Sequence, residues 1–320
     1  MSKGKDIFRW FEAVRNLPGP KFITGLRGTG KASFLLKLRR RLLDEGVPAE
    51  RIALVDTDNP ALRRYPTHEQ MLEYIFSALP ASGKSYVFVR EAASLPNPEI
   101  VIGTLAASGQ YELFATSSSR RLLSRGLAGY FSTRLVHFEM LPEPTNRPYS
   151  PEEARARWND VFLNDVLAPN RILEVSIAGR LAGWLSDSLG DQLSLRTISA
   201  AISPARQLLS PHTVTAYLAA LEDAHLVEKA VRWDIAEEAP QKTGYRYFFT
   251  DPQLRLARFG PAPENEARRM ALNCAWLCLR HGSSRVFSAS GAADVDFITR
   301  RCGICLHWHV AADGSLERVG

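Results

Sequence analysis

The stretch that decides the fold is Lys21-Phe-Ile-Thr-Gly-Leu-Arg-Gly-Thr-Gly-Lys-Ala-Ser33, near the start of the chain. Its pattern predicts a short buried strand, a glycine-rich turn and the beginning of a helix. Gly25, Gly28 and Gly30 permit backbone angles at which successive N–H groups point inward as an anion-binding nest. Lys31 adds a positive charge for the β- and γ-phosphates of a nucleotide, and the N-terminus of the helix also favours an anion. The sequence therefore predicts a phosphate-binding loop, or P-loop.

One position departs from the usual P-loop pattern, which is G-x-x-x-x-G-K followed by Ser or Thr. The hydroxyl of that Ser or Thr holds Mg²⁺, and the corresponding residue here is Ala32. The loop therefore keeps its phosphate-binding groups and lacks a metal ligand. A glycine-rich turn that binds nothing is the alternative, and the missing hydroxyl adds weight to it. The candidate nucleotide-binding residues are Gly25, Arg27, Gly28, Thr29, Gly30, Lys31, Ala32 and Ser33.

Length and composition are those of a globular protein with two or three domains. The chain has 320 residues, of which 45% are hydrophobic and 23% are charged. Its net charge of +6 permits contact with nucleic acid but does not argue for it. No apolar run approaches the ~18 residues of a membrane span, and the N-terminus lacks the apolar region of a signal peptide. We therefore expect a cytoplasmic protein with no membrane partner.

Apolar runs and helical patterns alternate along the first part of the chain. Strands are predicted at 22–23, 51–56, 86–89, 111–116 and 135–139, with helices at about 6–16, 31–45, 67–79 and 98–107. This alternation predicts a parallel sheet with helices on both faces, an α/β fold of three layers. Asp56 or Asp58 falls at the carboxyl end of the second strand, where ligands of such sheets bind.

The proline-rich segment Leu141–Pro151 marks a domain boundary. Helical patterns follow up to about residue 224, and then two strands are predicted, at 226–233 and 245–249. Helices followed by a two-stranded wing describe a winged helix. Where a DNA-reading helix would need arginine, this one carries His212, Thr213 and Thr215. A structural or docking role is therefore favoured over DNA binding.

The C-terminal part is predicted to contain a helix at 264–280 and a hairpin with strands at 294–298 and 304–310. Alternation places Asp294 and Asp296 on one face of the first strand. It places Cys305, His307 and His309 on one face of the second. The four cysteines suggest a zinc site as an alternative, because Cys302 and Cys305 have half of a known ligand spacing. Against it, Cys274 and Cys278 lie in an apolar helical run, where we expect them to be buried.

These segments together resemble a family of AAA-type P-loop ATPases of bacteria and archaea whose C-terminal domain has no assigned function. The resemblance covers nearly the whole chain. It implies a P-loop NTPase domain at 1–146, a helical and winged-helix domain at 147–256, and a small α+β end at 257–320 that resembles restriction endonucleases. The matching motifs are Ile23–Leu35, Val89–Glu91 before Leu95–Asn97, Ser117–Ser124, Leu127–Arg134, Ser210–Glu222, Tyr247–Arg255 and Asp294–Phe297.

The resemblance implies roles for individual residues. Glu91 would polarise the attacking water, one of Ser117 to Ser119 would sense the γ-phosphate, and Arg134 would be an arginine finger. Where the family has the aspartate that organises the metal, this chain has Arg90. With Ala32, both protein ligands of Mg²⁺ are thus missing, and hydrolysis should be severely weakened. Arg90 would either contact phosphate directly or pair with Glu91 and disable it, and Ser33 remains within reach of an α-phosphate.

The same resemblance argues against nuclease activity at the C-terminal end. Asp296 matches the first acidic residue of the endonuclease motif, whereas His307 and His309 stand at the Glu and Lys positions. Glu-x-Lys is the usual pair that binds Mg²⁺ and activates water, and two histidines replace it poorly.

The function expected from the sequence is ATP or ADP binding, with slow or no hydrolysis and with no firmly held Mg²⁺. The chain would act as a nucleotide-gated or structural module towards an unknown protein partner. One alternative is an active Mg²⁺-dependent ATPase in which Glu91 is the base. Another is a DNA-associated protein that uses its winged helix.

Overall fold

The computed structural model describes residues 9, 11–15, 17–127, 135–142, 148–204, 208–282, 285–292, 294–301 and 303–319. The chain forms two compact units, Met1–Met140 and Leu141–Gly320. The division falls at the start of the proline-rich segment. The further division of the second unit after residue 256 stays a prediction. None of the helices in the described ranges is long and apolar enough to cross a membrane.

A five-stranded parallel sheet forms the centre of the first unit, and it confirms the predicted α/β fold. The spatial order is β2-β3-β4-β1-β5, and every pairing is parallel. In the register, Thr24 aligns with Ser117 on β4 and with Glu139 on β5, so the loop after β1 begins beside the ends of its two neighbours. The strands are β1 Lys21–Thr24, β2 Ile52–Asp56, β3 Ser85–Arg90, β4 Tyr111–Ser117 and β5 Val136–Glu139.

Helices cover both faces of this sheet because successive strand residues point to opposite sides. The helices are α1 Lys31–Asp44, α2 His68–Ser77 and α3 Pro98–Ala107, with short 3₁₀ turns at Ala49–Arg51, Pro60–Arg64 and Ala92–Ser94 and a π-turn at Leu122–Leu127. On one face, Ile23 and Phe88 pack against α1; on the other, Phe22 and Val87 pack against α2 and α3. Of the predicted first helix, residues 9 and 11–14 are described and are helical.

The second unit begins with a group of helices. Ser150 starts the first of them with a capping box, in which its side chain and that of Glu153 each accept a bond from the other's backbone N–H. The helices are α4 Pro151–Val161, continued by a π-helical segment at Phe162–Leu167 and a short α-helical turn at Ala168–Asn170, then α5 Val175–Asp187, α6 Leu195–Ile202, α7 Pro211–Asp223, α8 Pro252–Phe259 and α9 Glu266–Gly282.

Two sheets complete the second unit. A two-stranded antiparallel sheet pairs β6 with β9, and a six-stranded sheet has the order β13-β12-β11-β10-β7-β8. The strands are β6 Val227–Ala230, β7 Arg232–Asp234, β8 Ala239–Pro240, β9 Arg246–Phe249, β10 Val286–Ser290, β11 Phe297–Arg301, β12 Ile304–Val310 and β13 Leu316–Val319.

The structure corrects two expectations about this unit. The predicted strand at 226–233 is two strands in different sheets, because the chain changes partner at Val231, whose carbonyl accepts a hydrogen bond of 2.9 Å from the N–H of Ser288. Cys274 and Cys278 are exposed rather than buried. The buried face of α9 is formed by Leu272, Asn273, Ala275, Trp276, Leu277 and Leu279, which leaves the two cysteines on the outer face.

Candidate functional site

The loop between β1 and α1 is held against the end of β5. The N–H of Met140 donates a hydrogen bond of 2.7 Å to the carbonyl of Thr24. A Cβ at Gly25 would lie 2.1 Å from the carbonyl oxygen of Met140, and its φ is +146°, so only glycine fits there. Gly28 and Gly30 also have positive φ angles, of 79° and 94°. The three predicted glycines thus take the backbone angles that a phosphate-binding nest requires.

Lys31, the first residue of α1, is buried and points back beneath this loop. Its ammonium donates to the carbonyls of Gly25 at 2.7 Å and Leu26 at 2.9 Å, and to the Ser118 hydroxyl at 3.1 Å. A lysine has three N–H donors, and all three are used by protein acceptors in this conformation. A phosphate that binds Lys31 must therefore replace at least one of these bonds.

Glu91 follows β3 in a left-handed backbone conformation, with φ of 53°. Both of its carboxylate oxygens face Ser118: Oε2 accepts from the hydroxyl at 2.9 Å, and Oε1 accepts from the backbone N–H. The backbone N–H of Glu91 donates to Thr116 Oγ1 at 3.1 Å. Lys31, Ser118 and Glu91 therefore form one hydrogen-bonded chain, in which Glu91 holds a serine.

Of the three serines in the predicted sensor motif, Ser118 is the one that lines the cavity. Ser117 and Ser119 bond to each other instead. The Ser117 hydroxyl donates to the Ser119 carbonyl and accepts from the Ser119 N–H, each at 3.0 Å.

Arg90, the last residue of β3, forms ion pairs with two carboxylates at the end of β2. Its Nη1 lies 3.0 Å from Asp56 Oδ2, and its Nη2 lies 2.9 Å from Asp58 Oδ2. The register aligns Asp56 with Arg90. Pairing with Glu91, one of the two expectations, is therefore wrong, because the turn at Glu91 directs its side chain towards Ser118.

A cavity of about 220 Å³ lies among these groups. Pockets for whole small molecules have roughly 300–1,000 Å³, so this volume suits a phosphate chain better than a complete nucleotide. Six of the eight candidate residues line it, while Gly25 and Thr29 shape the loop. The lining residues are Arg27, Gly28, Gly30, Lys31, Ala32, Ser33, Asp58, Arg90, Glu91, Thr116 and Ser118. Arg134, the predicted arginine finger, lies outside the described residues.

The cavity does not fit Mg²⁺, which needs near-octahedral oxygen ligands. Ala32 offers no side-chain oxygen, and Arg90 brings a cation where the resemblance implies a carboxylate. The carboxylates that are present, on Asp58 and Glu91, are bonded to Arg90 and Ser118. Among the residues that the structure describes, no three His, Cys, Asp or Glu side chains are grouped to hold a metal.

Comparison with known proteins agrees with this architecture. Residues 18–144, which contain the loop and all five strands, match the family described as the AAA domain. This segment is therefore similar to the AAA domain family.

Relatives of the whole chain are distant. An uncharacterised protein of Haemophilus influenzae is 24% identical over 327 residues, covering 91% of this chain and 82% of the relative. A Walker-type ATPase of Pyrococcus abyssi is 12% identical with a TM-score of 0.42, over 80% of this chain and 95% of its own. For the ORC2 protein of Aeropyrum pernix the identity is 11% and the TM-score 0.39, over 88% and 94% of the two chains.

Outside the segment that matches the AAA domain family, both carboxylate oxygens of Asp296 in the predicted endonuclease motif contact protein groups. Arg268 Nη2 lies 2.7 Å from its Oδ1, the N–H of Val310 donates to Oδ2 at 2.8 Å, and His309 Nδ1 lies 3.2 Å from Oδ2. β12 is one continuous strand, so Cys305, His307 and His309 share a face as predicted. Cys302 lies outside the described residues.

The main feature that the sequence did not reveal is the pairing of Arg90 with Asp56 and Asp58. The sequence predicts both acidic residues near the end of a strand, but their partner depends on which strand lies beside β2. The sequence contained one signal for this pairing. Arg90 stands where the resemblance implies an aspartate, and two carboxylates end the preceding predicted strand.

Proposed function

We propose that the chain binds ATP or ADP in the loop of its AAA domain and hydrolyses it slowly or not at all. It then acts as a nucleotide-gated or structural module towards a protein partner in the cytoplasm. The observation that supports this proposal is the lining of the cavity, which has the phosphate-binding groups of a P-loop and has Ala32 and Arg90 where the resemblance implies metal ligands.

Nucleotide binding is supported by the loop geometry and by the charge of the cavity. Three cations, Arg27, Lys31 and Arg90, line it together with two anions, Asp58 and Glu91. The excess of positive charge favours the phosphates, and the backbone nest and the N-terminus of α1 add dipoles of the same sign.

Impaired hydrolysis is supported by the contacts of Glu91 and by the missing metal ligands. Phosphoryl transfer depends on a cation that bridges the β- and γ-phosphates and on a group that orients the attacking water. Here Ala32 and Arg90 replace the metal ligands, and both oxygens of Glu91 are occupied by Ser118.

Isothermal titration calorimetry with ATP and ADP tests the binding proposal. Lys31→Ala should weaken binding at least about tenfold, since it removes a charge-assisted bond to phosphate. Lys37→Ala is the matched control, because Lys37 is exposed on the same helix. If the folded wild-type protein binds neither nucleotide, the proposal is wrong.

An active Mg²⁺-dependent ATPase is the second candidate, and it is favoured by the position of Glu91 in the cavity wall. Phosphate release assays separate the two candidates. We expect turnover far below the ~1–100 s⁻¹ of kinases. Rapid turnover that needs Mg²⁺ and is abolished by Glu91→Gln would establish the second candidate instead.

The second unit supports a docking role better than a DNA-binding one. We infer that residues 147–256 form a helical and winged-helix domain, with α6 and α7 as its helices, and that residues 257–320 form an inactive endonuclease-like end. Pro211–Asp223, the α7 segment, contains no lysine or arginine. A helix that reads DNA gains most of its affinity from basic contacts to phosphate, so we expect no strongly salt-dependent binding to DNA.

A further inference from the structure

We propose that the guanidinium of Arg90 takes the place of Mg²⁺, so that the AAA domain binds the metal-free form of ATP or ADP. This rests on the proposed nucleotide binding and adds the chemical form of the ligand. It is based on the lining of the cavity, which does not offer the ligands for Mg²⁺ that P-loop ATPases use.

Arg90 supplies a cation beside the cavity without a metal. An aspartate that holds Mg²⁺ contributes, together with its metal, one net positive charge beside the phosphates. The resemblance implies that aspartate at the position of Arg90, whose guanidinium carries one positive charge. Asp56 and Asp58 offset this charge, so Arg90 attracts phosphate through its directed N–H donors more than through net charge. An arginine is always protonated, so this charge does not depend on the concentration of any ion in solution.

Arg90 is oriented by two carboxylates. Asp56 and Asp58 each hold one terminal nitrogen of its guanidinium, at 3.0 Å and 2.9 Å. A guanidinium has five N–H donors in a planar fork, so these two ion pairs leave donors for a phosphate oxygen. Arg90 also lines the same cavity as Lys31 and the loop glycines. The two aspartates therefore hold the guanidinium in place before the nucleotide arrives.

Arg90 also disfavours Mg²⁺ in this cavity. Its guanidinium lines the cavity, and it would repel a magnesium ion bound there with the phosphates. Asp58 could bind the metal only by giving up its ion pair with Arg90, and Ala32 offers nothing in exchange. In solution, Mg²⁺ instead competes with the protein for the phosphate chain.

The test is calorimetry on the full-length protein, with ATP and ADP, first in EDTA and then in excess Mg²⁺. We expect the dissociation constant in EDTA to be equal to or smaller than the one in Mg²⁺. In EDTA, Arg90→Gln should weaken binding about tenfold to a hundredfold, the loss expected for one charge-assisted bond. Arg63→Gln, which removes the same charge from an exposed turn of this unit, should have no effect.

Two further variants extend the test beyond loss of affinity. Arg90→Lys keeps the positive charge but loses the planar set of N–H donors of the guanidinium. In EDTA this variant should bind nucleotide less tightly than wild type and more tightly than Arg90→Gln. Ala32→Ser combined with Arg90→Asp restores both metal ligands, and nucleotide binding by this variant should require Mg²⁺. Circular dichroism establishes that each variant is folded. The comparison of wild-type binding in EDTA and in Mg²⁺ does not depend on the folding of any variant.

The possible results separate this inference from the proposed function. Wild-type binding that requires Mg²⁺ would overturn the inference and leave nucleotide binding in place. Binding in EDTA that Arg90→Gln does not change would also overturn it. If no nucleotide binds to the folded protein in either buffer, the proposed function itself fails.

Discussion

At the scale of single residues, the site depends on side chains that bind each other before they bind a ligand. Lys31, Ser118 and Glu91 form one chain of hydrogen bonds, and Arg90 is held by Asp56 and Asp58. A nucleotide that binds Lys31 would have to replace a hydrogen bond of the Lys31–Ser118–Glu91 chain. At Arg90 it would add a hydrogen bond to the ion pairs with Asp56 and Asp58. The affinity is thus a difference between bonds gained and bonds lost, which is the reason to expect weak binding.

The close approach of Gly25 to the Met140 carbonyl can be tested by substitution. Its φ of +146° and a Cβ position 2.1 Å from the carbonyl oxygen of Met140 mean that Gly25→Ala must move the loop away from β5. Strain of this kind costs ~1–3 kcal/mol. We expect the variant to be less stable by about this amount in urea unfolding and to lose nucleotide affinity at least about tenfold, the loss of a well-placed charge-assisted bond.

Gly103→Ala is the control for that prediction. Gly103 lies within α3, and a Cβ there meets no atom within 4 Å. Alanine is favoured over glycine in a helix by about 1 kcal/mol, so this variant should be slightly more stable and should bind nucleotide normally. Equal behaviour of the two variants would contradict the role given to the close approach at Gly25.

At the scale of secondary-structure elements, a cluster of charges connects the helical residues 11–14 to α1. Glu45 accepts hydrogen bonds from Arg15 at 2.6 Å and from Arg41 at 3.0 Å. These bonds lower the pKa of the Glu45 carboxyl to about 2. Because the carboxylate form is favoured in the folded state, its contribution to stability is complete above pH ~4.5 and is lost as the pH falls towards 2.

Glu45→Gln should therefore be less stable than wild type at pH 6, by no more than about 1 kcal/mol because the cluster is partly exposed. The difference should shrink as the pH falls towards 2. Urea unfolding at pH 6 and pH 3 measures this change, with Glu50→Gln on the exposed turn after α1 as the control. A difference that stays constant between the two pH values would show that the ion pairs are not its cause.

The strands and helices differ in how far the sequence could predict them. The alternation of apolar strands with helices sufficed for the parallel sheet, because strand patterns and crossover helices are local. The division at Val231 was missed, because its hydrogen-bond partner Ser288 is distant in sequence. The exposure of Cys274 was missed for a similar reason: within residues 271–279 nearly every residue is apolar, and only packing decides which face of this part of α9 is buried. The ion pairs of Arg90 with Asp56 and Asp58 could not be predicted either, because they depend on β2 and β3 being neighbours in the sheet.

At the scale of the whole molecule, each unit has its own buried core, and a fully buried arginine stabilises the second. Arg255 on α8 donates to the Ser186 hydroxyl and to the Ser186 carbonyl, each at 2.8 Å, and lies 2.5 Å from Glu266 on α9. It belongs to the motif Tyr247–Arg255, for which the sequence suggested no role. Its contacts connect α5, α8 and α9, so we interpret the motif as structural.

Arg255→Met should lower the free energy of unfolding of the second unit by roughly 1–3 kcal/mol, because it removes three contacts of a buried guanidinium, while Glu266 is 23% exposed and keeps its bond from the N–H of Ala262. Tryptophan fluorescence during urea unfolding reports this change selectively, since five of the six tryptophans lie after residue 141. The control is Arg258→Met, an exposed position on the same helix, which should cost less than about 1 kcal/mol. A small effect of Arg255→Met, similar to that of the control, would mean that the unit tolerates loss of the network and that the motif has another purpose.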